Sequence, residues 1–128
     1  MRERATVVDE RPGRVATVPG GTDDAVLRLR ATGALDASVH RQVSAAVQRA
    51  LTEVAARSGL RRIEVDLGAA SFLSAAVAGA LAHGAHRAAE QQCVLRVINA
   101  SGIAARVLVI SRLWPVLCDR DDVGTRDA

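Results

Sequence analysis

The side chains able to do chemistry are few and widely spaced. Ser74 stands directly before Ala75-Ala76-Val77-Ala78-Gly79-Ala80-Leu81. Its hydroxyl can cap the helix that this run predicts, by accepting a bond from a first-turn N–H, or it can accept a phosphate. Asp36 offers the same capping chemistry ahead of Ser38 and an apolar helical stripe. His83 and His86 lie three apart, a spacing that can hold a metal ion, but no third ligand on a neighbouring element completes a set, and no metal site is expected. His40 is isolated. Cys93 and Cys118 each sit in an apolar run and read as buried thiols rather than a disulfide. Catalysis needs a nucleophile with its base, or paired carboxylates in a pocket. Asp66 ends a strand, and no histidine is placed to activate Ser74. Gly20-Gly21 marks a turn and lacks the pattern of a phosphate-binding loop. Neither an enzyme nor a cofactor is expected.

These groups must be positioned by a chain of unusual make-up. Its 128 residues, 49% apolar and 24% charged, suit one globular domain. Only Phe72 and Trp114 are aromatic, 25 residues are Ala, and all 17 basic residues are Arg. The core must therefore be Val, Leu, Ile and Ala at close range, and a base-stacking platform for nucleic acid is excluded. The net charge of +3 is interleaved with acids, as in Arg2-Glu3-Arg4, and no basic stripe is legible, so no nucleic-acid partner is expected. The charged N-terminus has no apolar leader behind it, and no run reaches the roughly 20 apolar residues of a membrane span. The expectation is a cytoplasmic protein without membrane insertion.

Along the chain, residues 1–13 are polar. Arg14 to Val18 has strand composition and ends at the turn Pro19-Gly20-Gly21; Val26 to Ala31 alternates with period two. Thr32-Gly33-Ala34-Leu35-Asp36 breaks that pattern and starts a helix, whose buried stripe is Val39, Val43, Val47, Ala50, Leu51 and Val54. Glu53 lies four before Arg57, and Ser58-Gly59 ends the helix. Arg62 to Leu67 is a second alternating strand. The small-residue helix, from about Ala75 to Glu90, packs through Val77, Ala80 and Leu81 and exposes Ser74, Ala75 and Ala78. Cys93 to Ile98 is a strand. Ile103 to Ser111 suits a helix capped by Ser101 or, by propensity, a strand. Trp114 to Cys118 reads as a last strand, with Pro115 restricting it to an edge. Residues 119–128 form an acidic tail. The order ββαβαβαβ predicts an α/β domain over 14–118, with a mixed, mostly parallel sheet of about five strands and helices packed on it.

Three stretches resemble the STAS domain of bacterial anti-sigma factor antagonists. They are Leu27 to Asp36, with its Gly-x-Leu-Asp turn; Ile63 to Leu67 followed by the loop Ser71-Phe72-Leu73; and Val94 to Leu117, with Ser101, Arg106, Ser111 and Leu113-Trp114. The resemblance implies a non-enzymatic interaction module whose partner is an anti-sigma factor with a serine-kinase-like fold. The family's switchable members carry Asp-Ser-Ser-Gly after the third strand, with the first Ser phosphorylated by that partner. Here the positions are Ser74, Ala75, Ala76 and Val77, so Ala75 stands at the acceptor position. Ser74 is a displaced acceptor or simply a cap. The implied contact surface joins the turn around Asp36 and Ser38 to Ser74, Ala75, Ala76 and Gly79. The family's usual last helix is expected to be truncated. Three other roles stay open: a non-switchable scaffold or accessory subunit of a larger signalling or transport complex, a domain binding a nucleotide or other small ligand, and a homodimer.

Overall fold

Every strand-to-strand step in this molecule follows from where its short aliphatic residues fall. A computed structural model describes residues 13–18, 25–57 and 59–118. The turn at 19–21, Ser58, the tail at 119–128 and nearly all of the N-terminal segment lie outside these residues. The elements are β1 (Arg14–Val18), β2 (Val26–Leu35), a 3₁₀ turn (Ala37–Val39), α1 (His40–Ala56), β3 (Arg62–Leu73), α2 (Ala75–Glu90), β4 (Val94–Ile98), α3 (Gly102–Ile110) and α4 (Trp114–Leu117). The sheet order is β1-β2-β3-β4. β1 pairs antiparallel with β2, whereas β2–β3 and β3–β4 are parallel.

Alternation sorts the strand residues onto two faces. Leu27, Leu29, Ala31 and Leu35 of β2, Ile63, Val65, Leu67 and Leu73 of β3, and Leu95 and Val97 of β4 are buried. They meet the whole expected stripe, Val39 of the 3₁₀ turn with Val43, Val47, Ala50, Leu51 and Val54 of α1, together with Val77 and Leu81 of α2. Each fully buried Val, Leu or Ile contributes roughly 1.5–3 kcal/mol of transfer free energy, so this layer supplies the main driving force. Small residues set its thickness. A Cβ on Gly84 would lie 2.5 Å from Val47 Cγ1, so α1 and α2 approach to backbone distance there. The outward positions of α1 are exposed, and Glu53 Oε2 meets Arg57 Nη1 at 2.8 Å.

Four sequence expectations are corrected. β2 does not break at Thr32; it runs on to Leu35, with Gly33 at a φ of 78°. β3 is likewise continuous through Ser71-Phe72-Leu73, where a loop was expected. The register moves from Arg30↔Asp66 to Thr32↔Ala69 and from Gly33↔Ala70 to Ala34↔Phe72. β3 therefore carries an extra residue at each of two bulges. A single bulge would turn the strand's remaining side chains over; two restore the phase, so Leu73 points inward as Ile63 does. The third correction concerns Trp114 to Leu117, which is a single helical turn and not a fifth strand: Leu117 N donates to Leu113 O at 2.9 Å and Cys118 N to Trp114 O at 2.8 Å. Pro115 fits because a first-turn residue has no intrahelical use for its missing N–H. Among the described residues the sheet thus has four strands, and the last helix is this one turn. Finally, Ala78 is 0% exposed, and the open positions on this part of α2 are Ala75, Ala76 and Gly79.

The ambiguous segment after Ser101 is helical, burying Ala104 and Leu108. Ser101 occupies its N-cap position without a side-chain capping bond. Cys93 and Cys118 are both buried and form no disulfide, and burial pushes the Cys93 thiol above its ordinary pKa. Among the described residues, no helix is long and apolar enough to cross a membrane.

Candidate functional site

Parallel pairing carries β2 and β3 to a common end, and the residues singled out in the sequence lie just past it. The last paired residues are Leu35 and Leu73, and Ser74 N donates to Leu35 O at 2.9 Å. Asp36 and Ser74 are therefore neighbours, although 38 positions apart in sequence. Carboxyl ends of parallel strands are where α/β folds open a contact surface, because the chain must leave the sheet there.

Each half of the surface is locked by local chemistry. Asp36 is extended, and its Oδ1 accepts from Ser38 N at 3.0 Å and from the Ser38 hydroxyl at 2.5 Å. It caps the 3₁₀ turn that leads into α1. Ser74 is extended too, and its Oγ accepts from Val77 N at 3.1 Å, satisfying one of the free donors at the start of α2. Ala78 N completes the turn by donating to Ser74 O at 3.0 Å. The first turn of α2 holds no acidic residue, so its dipole is unopposed.

What the surface presents is small and flat. Ala37, Ser38, Ala75, Ala76 and Gly79 are exposed, and a Cβ on Gly79 would meet nothing within 4 Å. Val77, Ala78 and Leu81 anchor the same helix below. Phe72, the residue before the last of β3, faces outward and is 39% exposed. Beyond Gly79 the surface runs into an open groove of about 430 Å³ between α1 and α2, lined in part by His40, Ser44 and His83. Arg87 Nη1 closes its far end by donating to Gln48 Oε1 at 3.2 Å.

The histidine spacing did not foretell the histidine arrangement. His83 shares the groove with His40 of the other helix, whereas exposed His86 meets Glu90 Oε2 at 3.4 Å. Among the described residues no three His, Cys, Asp or Glu side chains gather.

Two features escaped the sequence reading. Asp66 is a buried acid whose Oδ1 accepts from Gly68 N at 2.8 Å and from Asn99 Nδ2 at 3.2 Å. It fastens the first bulge of β3 to the loop after β4, and so helps aim the end of β3 at the site. A Cβ on Gly68 would lie 3.1 Å from that same oxygen, so the Asp66–Gly68 pair was the available signal. The second feature is the outer sheet face, where arginines from several strands collect. Only strand register brings them together.

Three comparisons bear on this arrangement. A family model described as "Mlab, STAS domain" matches residues 21–115. The fold is similar to that of the anti-sigma factor antagonist SpoIIAA in its unphosphorylated form, with a TM-score of 0.63 at 16% identity over 88% of this chain and 98% of that one. It is similar also to an anti-sigma factor antagonist from Mycobacterium paratuberculosis, with a TM-score of 0.66 at 16% identity over 89% of this chain and 92% of that one. A more distant likeness is to SLC26A9, with a TM-score of 0.54 at 12% identity over 84% of this chain and 21% of that one. No curated protein sequence matches. With a four-stranded mixed sheet, helices in the order described and a family model spanning most of its length, the chain belongs to the STAS domain family.

Proposed function

We propose that this STAS domain is a non-enzymatic docking module that binds an anti-sigma factor with a serine-kinase-like fold. Binding releases the sigma factor which that partner holds. The contact surface is the pair of chain turns at the ends of β2 and β3: Asp36 and Ser38 on one, Ser74, Ala75, Ala76 and Gly79 on the other. The observation that carries the reading is the Ser74 N to Leu35 O bond of 2.9 Å, which joins the two turns into one rigid, small-residue surface. Ala75 and Ala76 allow a partner's backbone to approach closely, while Asp36 and Ser74 hold the turns in shape.

Regulation differs from that of a phosphorylated antagonist. A phosphate in this surface would add nearly two negative charges and repel a docked partner. Ala75, at the acceptor position of the family pattern, has no hydroxyl to receive one. Ser74 is already committed as the cap of α2. The module is therefore constitutive: the partner's kinase activity does not dismiss it.

The test is to incubate the protein with candidate anti-sigma kinases and ATP, then measure complex formation and phosphate incorporation by mass spectrometry. The expected result is a complex and no phosphate. Failure to bind any of them sinks the reading, and phosphate on Ser74 sinks the constitutive part. A second reading, a fixed scaffold or accessory subunit of a larger complex, is favoured by the same missing hydroxyl and by the occurrence of this fold within the much longer SLC26A9 chain. It predicts no kinase partner but stable co-purification with another subunit.

A further inference from the structure

The sheet has two faces, and only one is covered by α1 and α2. Strand register aligns the other. One row runs Arg28–Glu64–Arg96 across β2, β3 and β4, and the next runs Arg30–Asp66–Ile98. Ala16 extends the second row onto β1, and Arg14 lies two residues further along the same face. Arg62 precedes Glu64 by two on β3 and so faces the same way.

The heights of these side chains matter more than their number. Glu64 accepts from Arg28 Nη2 at 2.6 Å and from Arg62 Nε at 2.8 Å, one carboxylate between two guanidinium groups. Asp66 is committed to Gly68 and Asn99, with Arg30 Nε 4.0 Å away. Both acids sit low on the central strand, with side chains 13% and 12% exposed, whereas Arg28 and Arg30 are 41% and 53% exposed. The carboxylates are thus recessed beneath the cations, and the face displays guanidinium outward. Small residues, Ala16 beside Arg30 and Thr32 beside Arg14, flank the exposed arginines.

We propose that this outer sheet face is a second docking surface, separate from the β2/β3 ends, for an extended acidic segment of a partner protein. Arg28 and Arg30 are alternate residues of one strand, about 7 Å apart along it, which is the spacing of carboxylates at alternate residues of another extended chain. Arg30, with Nε 4.0 Å from Asp66, can turn its fork to a carboxylate in a bidentate pair, while Arg28, held to Glu64 through Nε and Nη2, offers its outer N–H groups. The recessed Glu64 and Asp66 interrupt the positive face, which suits spaced carboxylates better than a continuous phosphate backbone, and the aromatic that the register places on it, Phe72 opposite Ala34, stands at the strand end and makes no base-stacking platform by itself. A protein segment with spaced acids fits both facts better than a nucleic acid or a lipid surface does. The domain then carries two independent contacts, which suits a component that links one partner to another.

The experiment titrates the whole protein into a fluorescein-labelled peptide of alternating Glu and Thr, read by anisotropy at low and at physiological salt. Saturable binding is expected, weakened by salt because the contact is exposed and ionic. Arg14→Gln combined with Arg30→Gln should weaken it about tenfold, as removal of two exposed ion pairs would. Circular dichroism checks that the variant keeps its fold, and the single Arg30→Gln variant, expected to lose roughly threefold, serves if the double one does not. Ala75→Glu should leave peptide binding unchanged, which separates this surface from the kinase-docking site. Unaltered binding by the folded arginine variants, or no binding at low salt, overturns the proposal. So does tighter, equally arginine-dependent binding of a DNA duplex or of phosphatidylglycerol vesicles.

Discussion

Two glycines five positions apart on α2 should respond to the same substitution with opposite sign. Gly84→Ala places a Cβ 2.5 Å from Val47 Cγ1 and 3.4 Å from Leu95 Cδ1. Carbon atoms pack best at about 3.5–4.0 Å, so the first contact is short by roughly 1 Å. Val47 cannot swing aside, because a β-branched side chain in a helix has one strongly preferred rotamer. The helices must separate or the side chain must strain, at a cost of roughly 1–3 kcal/mol. Against this stands the gain of about 1 kcal/mol from replacing a helical Gly by Ala. The net is a loss of up to about 2 kcal/mol, or roughly 5–8 °C in Tm for a domain of this length. At Gly79 a Cβ would meet nothing, so only the gain remains and stability rises by about 1 kcal/mol. Urea unfolding followed by circular dichroism at equal protein concentration reads both values. In a Val47→Ala background the obstacle is gone, and Gly84→Ala should become stabilising. If Gly84→Ala stabilises the unaltered protein as much as Gly79→Ala does, or if the Val47→Ala background leaves its effect unchanged, close approach of α1 and α2 through Gly84 is refuted.

Three further outcomes are expected. Ser74→Ala removes the bond to Val77 N and should cost about 1 kcal/mol of stability, measured by thermal melting, while leaving partner affinity intact; lost affinity without a lower Tm would show a direct contact instead. Ala75→Glu puts a negative charge into the first turn of α2, so it should stabilise the fold by about 0.3–1 kcal/mol while abolishing binding to the proposed kinase-like partner in a pull-down. The two effects carry opposite signs, which removes misfolding as an explanation for lost binding. Burial raises the Cys93 pKa, so the native protein should hold less Cys93 thiolate at pH 8 than an exposed thiol would; alkylation there should be slow, quicken as pH rises, and reach the rate of a free thiol on denaturation, as followed by peptide mass mapping.

What was legible in the sequence by itself is local. Alternation at Val26 to Ala31, the stripe from Val39 to Val54, and the placement of Ser74 and Asp36 before helical runs all depend on residues within a few positions of each other. Strand and helix periods and capping bonds act over that same range. The collinear order of these signals was enough to name the family, and the caps at Asp36 and Ser74 stand where the residues alone put them. Trp114 to Cys118 failed at the same local level: β-branched and aromatic residues beside a proline are compatible with an edge strand or with a first helical turn, and packing against the rest of the fold selected the turn.

Tertiary structure decided everything that depends on register. Thr32-Gly33 looked like a break, but a bulge can absorb a glycine without ending the ladder, and a second bulge in β3 restores the inward phase so that Leu35 and Leu73 finish side by side. That pairing makes one surface of Asp36 and Ser74. It turned Ala78 inward and left Gly79 open. The arginines teach the same lesson in charge. Interleaved with acids along the chain, they formed no stripe; alternation then sent them to one side of each strand, and strand pairing set those sides next to one another. Sequence periodicity determines which way a side chain points, and only the partner strand determines what it points beside.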